Sequence, residues 1–195
     1  MESSIYGNHL PRMQADMQDV LGRIDALRRT LAEQYGMDPI EHCLSRVKAE
    51  GSMREKCRRQ GLPETEESAL RVIRDAIGIR IVCAFLDDVY RVADYLRSFD
   101  DIEVCTEKDY IRNVKSNGYR SYHMILRTAR GYYVEVQIRT ISMDTWAALE
   151  HHMKYKKQIG ANVDLIGSEL KRCADELAST DVSMQEIRNL IFHTK

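Results

Sequence analysis

Residues Tyr132–Thr140, "YYVEVQIRT", alternate with the two-residue period of a β-strand. Val134, Val136 and Ile138 fall on one face, and Tyr133, Glu135, Gln137 and Arg139 on the other. The first face is ordinary core. The second sets an acid between an aromatic, an amide and a guanidinium, on a segment apolar enough to sit inside a sheet. A charge on an interior strand costs several kcal/mol unless it is paired or bound to a metal, so Glu135 calls for a partner.

Working outward from this strand, "YHMILRT" precedes it across a tight "ARG" turn, which predicts a hairpin. "IEVCTEKDYI" reads as another strand, and "IGIRIVCAF" is β-branched and almost wholly apolar, as a buried central strand is. "MDPIEHCLSRVKAE" breaks at Pro39 and runs toward a short strand. Helical spacing covers Met13 to Tyr35, ending at Gly36. Short helices are predicted over "SMREKCRRQGLP", opened by Ser52, and "TEESALRVI". "DDVYRVADYLRS" predicts a helix capped by Asp87 or Asp88. "ISMDTWAALEHHMKYKK" has Met143, Trp146, Leu149 and Met153 on one side, and Val163 to His193 reads as one or two helices. The expected architecture is α/β: a mixed sheet of about five strands flanked by helices, with N- and C-terminal helical extensions. One domain is expected over residues 1–195, with an N-terminal helix at 13–36, a catalytic core at 40–157 and C-terminal helices at 162–195.

Composition narrows the function. The 195 residues carry a net charge of -1 with 30% charged side chains, which argues against a basic nucleic-acid coat. Apolar runs are strand-sized, so no membrane span is expected. "MESSIYGNHL" has neither the basic nor the apolar region of a signal peptide. Five scattered cysteines without a C-x-x-C pair read as reduced thiols, and a cytoplasmic location follows.

Four segments carry more polar function than a fold needs. In "SRVKAEGSMREKCRRQG", Arg46, Lys48, Lys56 and Arg59 lie near Ser52 at a helix start, a phosphate-binding arrangement that a solvated basic helix face would also display. In "RDAIGIRIV", Asp75 enters the buried strand and Arg80 lies within it, with Gly78 between. They make either a structural ion pair or a metal carboxylate beside a nucleotide-gripping arginine. In "KDYIRNVKSNGYRSYH", the Asn117-Gly118 turn is surrounded by Lys108, Lys115, Tyr119, Arg120, Tyr122 and His123. That set suits an exposed base-stacking loop, or a surface loop whose tyrosine packs back on the sheet. Glu135 with Asp75 would complete a two-carboxylate Mg²⁺ site. Two acids, many cations and a stacking tyrosine are the equipment of phosphoryl-type transfer. Neither a P-loop nor a Rossmann glycine motif is present.

"RVKAEGSMREKCRR", "DAIGIRIVCAFLDDVYRVADYL", "KDYIRNVKSNGYRSYH" and "EVQIRTISMDTWAALEHHMKYK", in this order, resemble the nucleotidyltransferase-like synthetase domain of the RelA/SpoT family, in its single-domain form, the small alarmone synthetases of RelQ and RelP type. The resemblance implies transfer of pyrophosphate from ATP to the 3′-hydroxyl of GDP or GTP, giving ppGpp or pppGpp in stringent-response signalling. It implies that Arg46 and Arg80 sandwich the adenine and that Lys48, Ser52, Lys56 and Arg59 hold the ATP phosphates. Asp75 would ligate Mg²⁺, and Glu135 would act as base and metal partner, with Gln137 beside it. Tyr119 would stack on the acceptor guanine in the Asn117 loop, with Lys108, Lys115 and His123 toward the acceptor phosphates. A homotetramer is the family precedent. Val114 stands where many members carry proline, and the "TARG" turn is short. His42, Cys43 and Leu44, with Leu21 and Asp25, depart from the residues that bind pppGpp between RelQ subunits, so product activation is not expected. No His-Asp dipeptide occurs, so synthesis without hydrolysis is expected. The other readings are a toxin-like enzyme that modifies the 3′ end of tRNA and a non-catalytic nucleotide- or RNA-binding module.

Overall fold

In the computed structural model, which describes residues 4–155 and 163–193, the alternation that begins at Tyr133 becomes the middle strand of a mixed sheet. The chain runs through α1 (Leu10–Tyr35), β1 (Ile40–Val47), α2 (Glu50–Arg59), a π turn (Ser68–Val72), β2 (Ile77–Cys83) and α3 (Leu86–Arg97). It continues through β3 (Glu103–Asp109), β4 (Tyr122–Arg127), β5 (Tyr133–Thr140), α4 (Ile141–Tyr155) and α5 (Val163–His193). The expected core end at Lys157 and tail start at residue 162 lie outside the described residues, as do the outermost positions at both termini. The strand order is β1-β2-β5-β4-β3. β2 and β5 run parallel, which requires the long crossover through α3, β3 and β4. The other neighbours are antiparallel, and β4–β5 is the expected hairpin, closed by Gly131 N–H to Thr128 O at 2.8 Å.

One face of the sheet is closed. Ile77, Ile79, Ile81, Met124, Leu126, Val134, Val136 and Ile138 are each exposed by 2% or less. α1 covers this face with Met13, Val20 and Ile24, and α3 with Val89, Val92 and Leu96. The register places the alternate residues in rows across the opposite face. Leu44, Arg80, Gln137, His123 and Lys108 stand side by side on successive strands. Arg46, Gly78, Glu135 and Ile125 form the next row. The acid on the central strand is therefore not entombed, because its face of the sheet is a floor rather than a core.

Helix ends depart from the sequence expectations for identifiable reasons. α2 begins at Glu50, not Ser52: Ala49 is extended (ψ 141°) and its carbonyl takes Met53 N–H at 3.0 Å. Ser52 thus lies in the first turn. α3 begins after Phe85, and neither Asp87 nor Asp88 caps it. Asp88 is fully buried in an ion pair with Arg188 of α5 at 3.0 Å, while Gln185 of α5 accepts the Asp87 N–H at 3.1 Å. The cap is tertiary. α1 does end as expected, with Gly36 left-handed at φ 69°. The tail over Val163–His193 is one helix. It covers Met143 and Trp146 on α4 but leaves Leu149 and Met153, 56% and 40% exposed, outside the contact. No described helix is long and apolar enough to cross a membrane.

Candidate active site

The β1–β2 pairing builds the first wall. Arg46 stands opposite Gly78 and Leu44 opposite Arg80, so the two arginines are diagonal neighbours on one face. Diagonal pairs lie about 7–8 Å apart, which leaves about 3.5 Å on either side of one planar ring. Gly78 keeps the slot open: a Cβ there would meet nothing within 4 Å. The slot opens into a cleft of about 190 Å³ lined by Arg46, Lys48, Asp75, Arg80, Glu135 and Gln137, among others. An adjoining cavity of about 600 Å³ shares Arg46 and Lys48 and adds Ser52, Lys56, Arg59 and His151. Every residue expected on the ATP side, and both carboxylates, are brought to these two spaces.

Asp75 and Arg80 do not pair with each other. Asp75 Oδ2 receives Lys48 Nζ and Lys56 Nζ, each at 2.5 Å, while Arg80 reaches Asp144 at 3.4 Å. Burial pushes the Asp75 carboxyl up, but the hydrogen bonds from the two lysines outweigh it and hold the group below the usual carboxylate range. Asp75 Oδ1 is buried without a hydrogen-bond partner among the described residues. Leaving such an oxygen unsatisfied costs about 1–3 kcal/mol, so the site has an acceptor to offer. Glu135, whose side chain is 27% exposed, opens on the same cleft and accepts Gln137 Nε2 at 3.1 Å. No cluster of three or more potential protein ligands occurs among the described residues. Two carboxylates fit a hard cation such as Mg²⁺, which keeps water and phosphate oxygens as its remaining ligands.

The acceptor-side residues gather on β3, β4 and the loop between them. The Tyr119 hydroxyl accepts Arg139 Nη2 at 2.7 Å and shares a hydrogen bond of 2.8 Å with His123 Nε2. His123 Nδ1 lies 4.0 Å from Glu135 Oε1. Lys115 Nζ lies 4.8 Å and Arg139 Cζ 5.2 Å from the Tyr119 ring centroid. Tyr119 is therefore half-buried and pinned rather than freely exposed. Asn117 holds the turn, its Oδ1 accepting Tyr119 N–H at 3.2 Å and its Nδ2 donating to Glu150 at 3.3 Å. Lys108 is exposed and stands across from His123 on β3. None of these five residues lines the two cavities, and the sheet row through Gln137 and His123 links them to the cleft.

Sequence reasoning gave no role to Arg139 and Asp144. Arg139, 4% exposed, binds Tyr119, Gln137 Oε1 at 2.7 Å and Asp144 at 3.0 Å, and Asp144 also meets Arg80. This chain of contacts joins the two halves of the site. The period-two pattern put Arg139 on the polar face, but nothing local to the sequence pairs it with the next helix. His151 of α4 was missed for the same reason.

Burial, then Arg139, Lys115 and Lys108, push the His123 imidazole down from 6.5 to about 4. Between these values the unfolded chain binds a proton that the folded protein refuses. Stability therefore rises with pH across this window, and up to about 3 kcal/mol is lost on descending to pH 4. Urea unfolding from pH 7 to 4 should show this slope, and His123→Gln should flatten it. An unchanged slope in the variant would place the titration elsewhere.

Residues 45–160 match the model of the region found in RelA/SpoT proteins. GTP pyrophosphokinase YwaC of Bacillus subtilis is 38% identical over 179 residues, covering 86% of this chain and 85% of that protein. Among solved structures, a GTP pyrophosphokinase family protein from Streptococcus pneumoniae superposes with a TM-score of 0.80 at 32% identity, over 94% of this chain and 93% of that one. The small alarmone synthetase 1 of Bacillus subtilis bound to its product pppGpp gives 0.77 at 33% identity, over 92% and 94%. The matched region contains the arginine slot, both carboxylates and the tyrosine loop, and the chain belongs to the RelA/SpoT family, alongside its small alarmone synthetases.

Proposed function

We propose that the protein is a (p)ppGpp synthetase that moves the pyrophosphoryl group of ATP onto the 3′-hydroxyl of GDP or GTP and has no hydrolase activity. One observation carries the reading: Asp75, one oxygen of which is buried without a hydrogen-bond partner among the described residues, and Glu135 line the same cleft, between a slot for a planar base and a cavity lined by Lys48 and Lys56. Arg46 and Arg80 take the adenine between them. Lys48, Ser52, Lys56 and Arg59 receive the ATP phosphates, the lysines turning from Asp75 toward the nucleotide. Tyr119 offers its ring to the acceptor guanine beside Asn117, and Lys108, Lys115 and His123 face the acceptor phosphates. Asp75 and Glu135 would hold Mg²⁺, which when bound supplies charge neutralisation on the phosphate oxygens.

The 3′-oxygen attacks the β-phosphorus in line. Its bond to phosphorus forms as the bond from that phosphorus to the α–β bridging oxygen breaks, and AMP leaves with the bridging oxygen. Glu135 takes the 3′-hydroxyl proton, and Gln137 steadies the carboxylate through the bond they already share. Arg59, Lys56 and Lys48 spread the charge on the transferred group.

The reading extends to a single cytoplasmic catalytic unit that assembles, as a homotetramer by family precedent. Ile187, Leu190 and Ile191 on α5, 48%, 71% and 65% exposed, are consistent with further burial in such an assembly. The experiment that tests the function offers purified protein, Mg²⁺ and γ-labelled ATP to GMP, GDP, GTP, ADP and bulk tRNA in parallel. Label on GDP or GTP with stoichiometric AMP is the expected result. Label on tRNA alone would assign the toxin-like activity, and no transfer at all would leave a binding module.

A further inference from the structure

Residues Ser4–His9 lie where no sequence pattern suggested a role, and they run along the loop that carries Lys48. Tyr6 is 1% exposed, and its hydroxyl donates to the Lys48 carbonyl oxygen at 2.6 Å, from 42 positions away in the chain. On its other side, the Lys48 N–H donates to the carbonyl of Ala76, next to Asp75, at 2.8 Å. Lys48 follows the last residue of β1 and precedes α2, so its carbonyl belongs to neither ladder. The same segment grips the first turn of α2: Ser4 Oγ donates to Glu50 Oε1 at 2.6 Å and Ile5 N–H to Glu50 Oε2 at 3.2 Å. Its far end is tied down by His9, which meets the Tyr132 hydroxyl at 2.6 Å and Glu66 at 3.0 Å. Gly7, at φ 52°, passes so close that a Cβ would come within 2.2 Å of Glu66 Oε2.

We propose that Tyr6 is a positioning residue for ATP binding: its hydroxyl, holding the Lys48 carbonyl, fixes the peptide from which Lys48 reaches the phosphates. The bond acts on the donor nucleotide alone, because the acceptor-side residues stand on β3, β4 and the Asn117 loop. Burial, and then the charges of Asp75 and Glu50, push the phenol above its ordinary range, so it remains a donor at neutral pH. A lysine is a point charge on a flexible stem, and fixing its backbone on both sides reduces the conformations it must give up on meeting phosphate.

The inference rests on the synthetase reading of the cleft, and the test separates the two. Tyr6→Phe keeps the buried ring and removes only the donor. Calorimetry with AMPCPP and Mg²⁺ measures donor affinity without turnover, beside KM for ATP and GDP, kcat and thermal melting. Ile24→Val, a core truncation on α1, supplies a destabilised reference. Tyr6→Phe is expected to weaken AMPCPP about tenfold (about 1.4 kcal/mol) and to raise KM for ATP in parallel. KM for GDP should stay within about twofold and kcat within about threefold. A lower melting temperature with wild-type AMPCPP affinity would overturn the proposal. So would equal losses for ATP and GDP, or an equal loss in Ile24→Val. If wild-type protein does not bind AMPCPP at all, the synthetase reading falls and the role of Tyr6 falls with it.

Discussion

Glu135→Gln is expected to lower kcat by about 10²–10⁴-fold, the usual contribution of a positioned general base, while both nucleotides still bind within a few-fold of wild type. The amide is nearly isosteric with the carboxylate and its oxygen can still accept Gln137 Nε2, so the floor of the cleft keeps its shape. What disappears is the proposed proton acceptor and one of the two carboxylates proposed to hold the metal. On the proposed reading donor affinity resides in other groups, the arginine slot and the lysine cavity, which stand on β1, β2, α2 and the loop between β1 and α2. Rapid-quench turnover with labelled ATP, beside calorimetry with AMPCPP and GDP, distinguishes the two effects. A variant that turns over at near-normal rate would remove Glu135 from the chemistry. One that loses nucleotide affinity in step with kcat would make it a structural anchor instead.

The parts of this site visible in the sequence are those written in local periodicity. The alternation over Tyr133–Arg139 placed Glu135 and Gln137 on one face, and the five-stranded sheet realises that face as the cleft floor. The basic run around Ser52 was legible because charge density near a helix start survives a two-residue error in where the helix begins. Partners were not legible. Asp75 near Arg80 allowed either a structural ion pair or a metal carboxylate beside a nucleotide-gripping arginine, and the pair does not form: the lysines that bind Asp75 come from 27 and 19 positions upstream, and Arg80 goes to Asp144. The Tyr119 hydroxyl is held by Arg139, 20 residues later, and the α3 cap comes from Gln185 on the last helix. Tyr6 is the extreme case: a hydrogen bond to a backbone carbonyl requires no particular residue at position 48, so it leaves no pattern to read. Burial was also misjudged at Glu135. An apolar strand implies one covered face, but whether the other is covered depends on where helices pack, and here α1 and α3 both take the same side.

Asp75→Asn is expected to separate metal use from phosphate attraction. In the free protein one carboxylate oxygen holds Lys48 and Lys56, whose side chains are only 16% and 21% exposed, and the other is buried without a hydrogen-bond partner among the described residues. Asparagine keeps the shape and removes the charge. With Mg²⁺ and saturating substrates, kcat should fall by about a thousandfold, the equivalent of the several kcal/mol that a metal contributes to transition-state charge stabilisation. Without metal the opposite trend is expected for binding. Two half-buried ammonium groups that have lost their counter-charge destabilise the free variant, and the phosphates of an ATP analogue restore what the carboxylate supplied. The variant should therefore melt lower than wild type, yet gain a larger thermal shift from AMPCPP in EDTA than wild type does. On the proposed reading, ATP must compete with Asp75 for the same lysines in the wild type, whereas the variant offers them unopposed. If kcat falls while the metal-free thermal shift also vanishes, Asp75 serves to organise the lysines and the metal position lies elsewhere. If both the shift and the metal dependence of kcat match wild type, the bare Oδ1 is no ligand. On the proposed reading the carboxylate has two separable functions, holding the lysine pair through one oxygen and supplying the unpartnered one to the metal, and a single isosteric change reads out both.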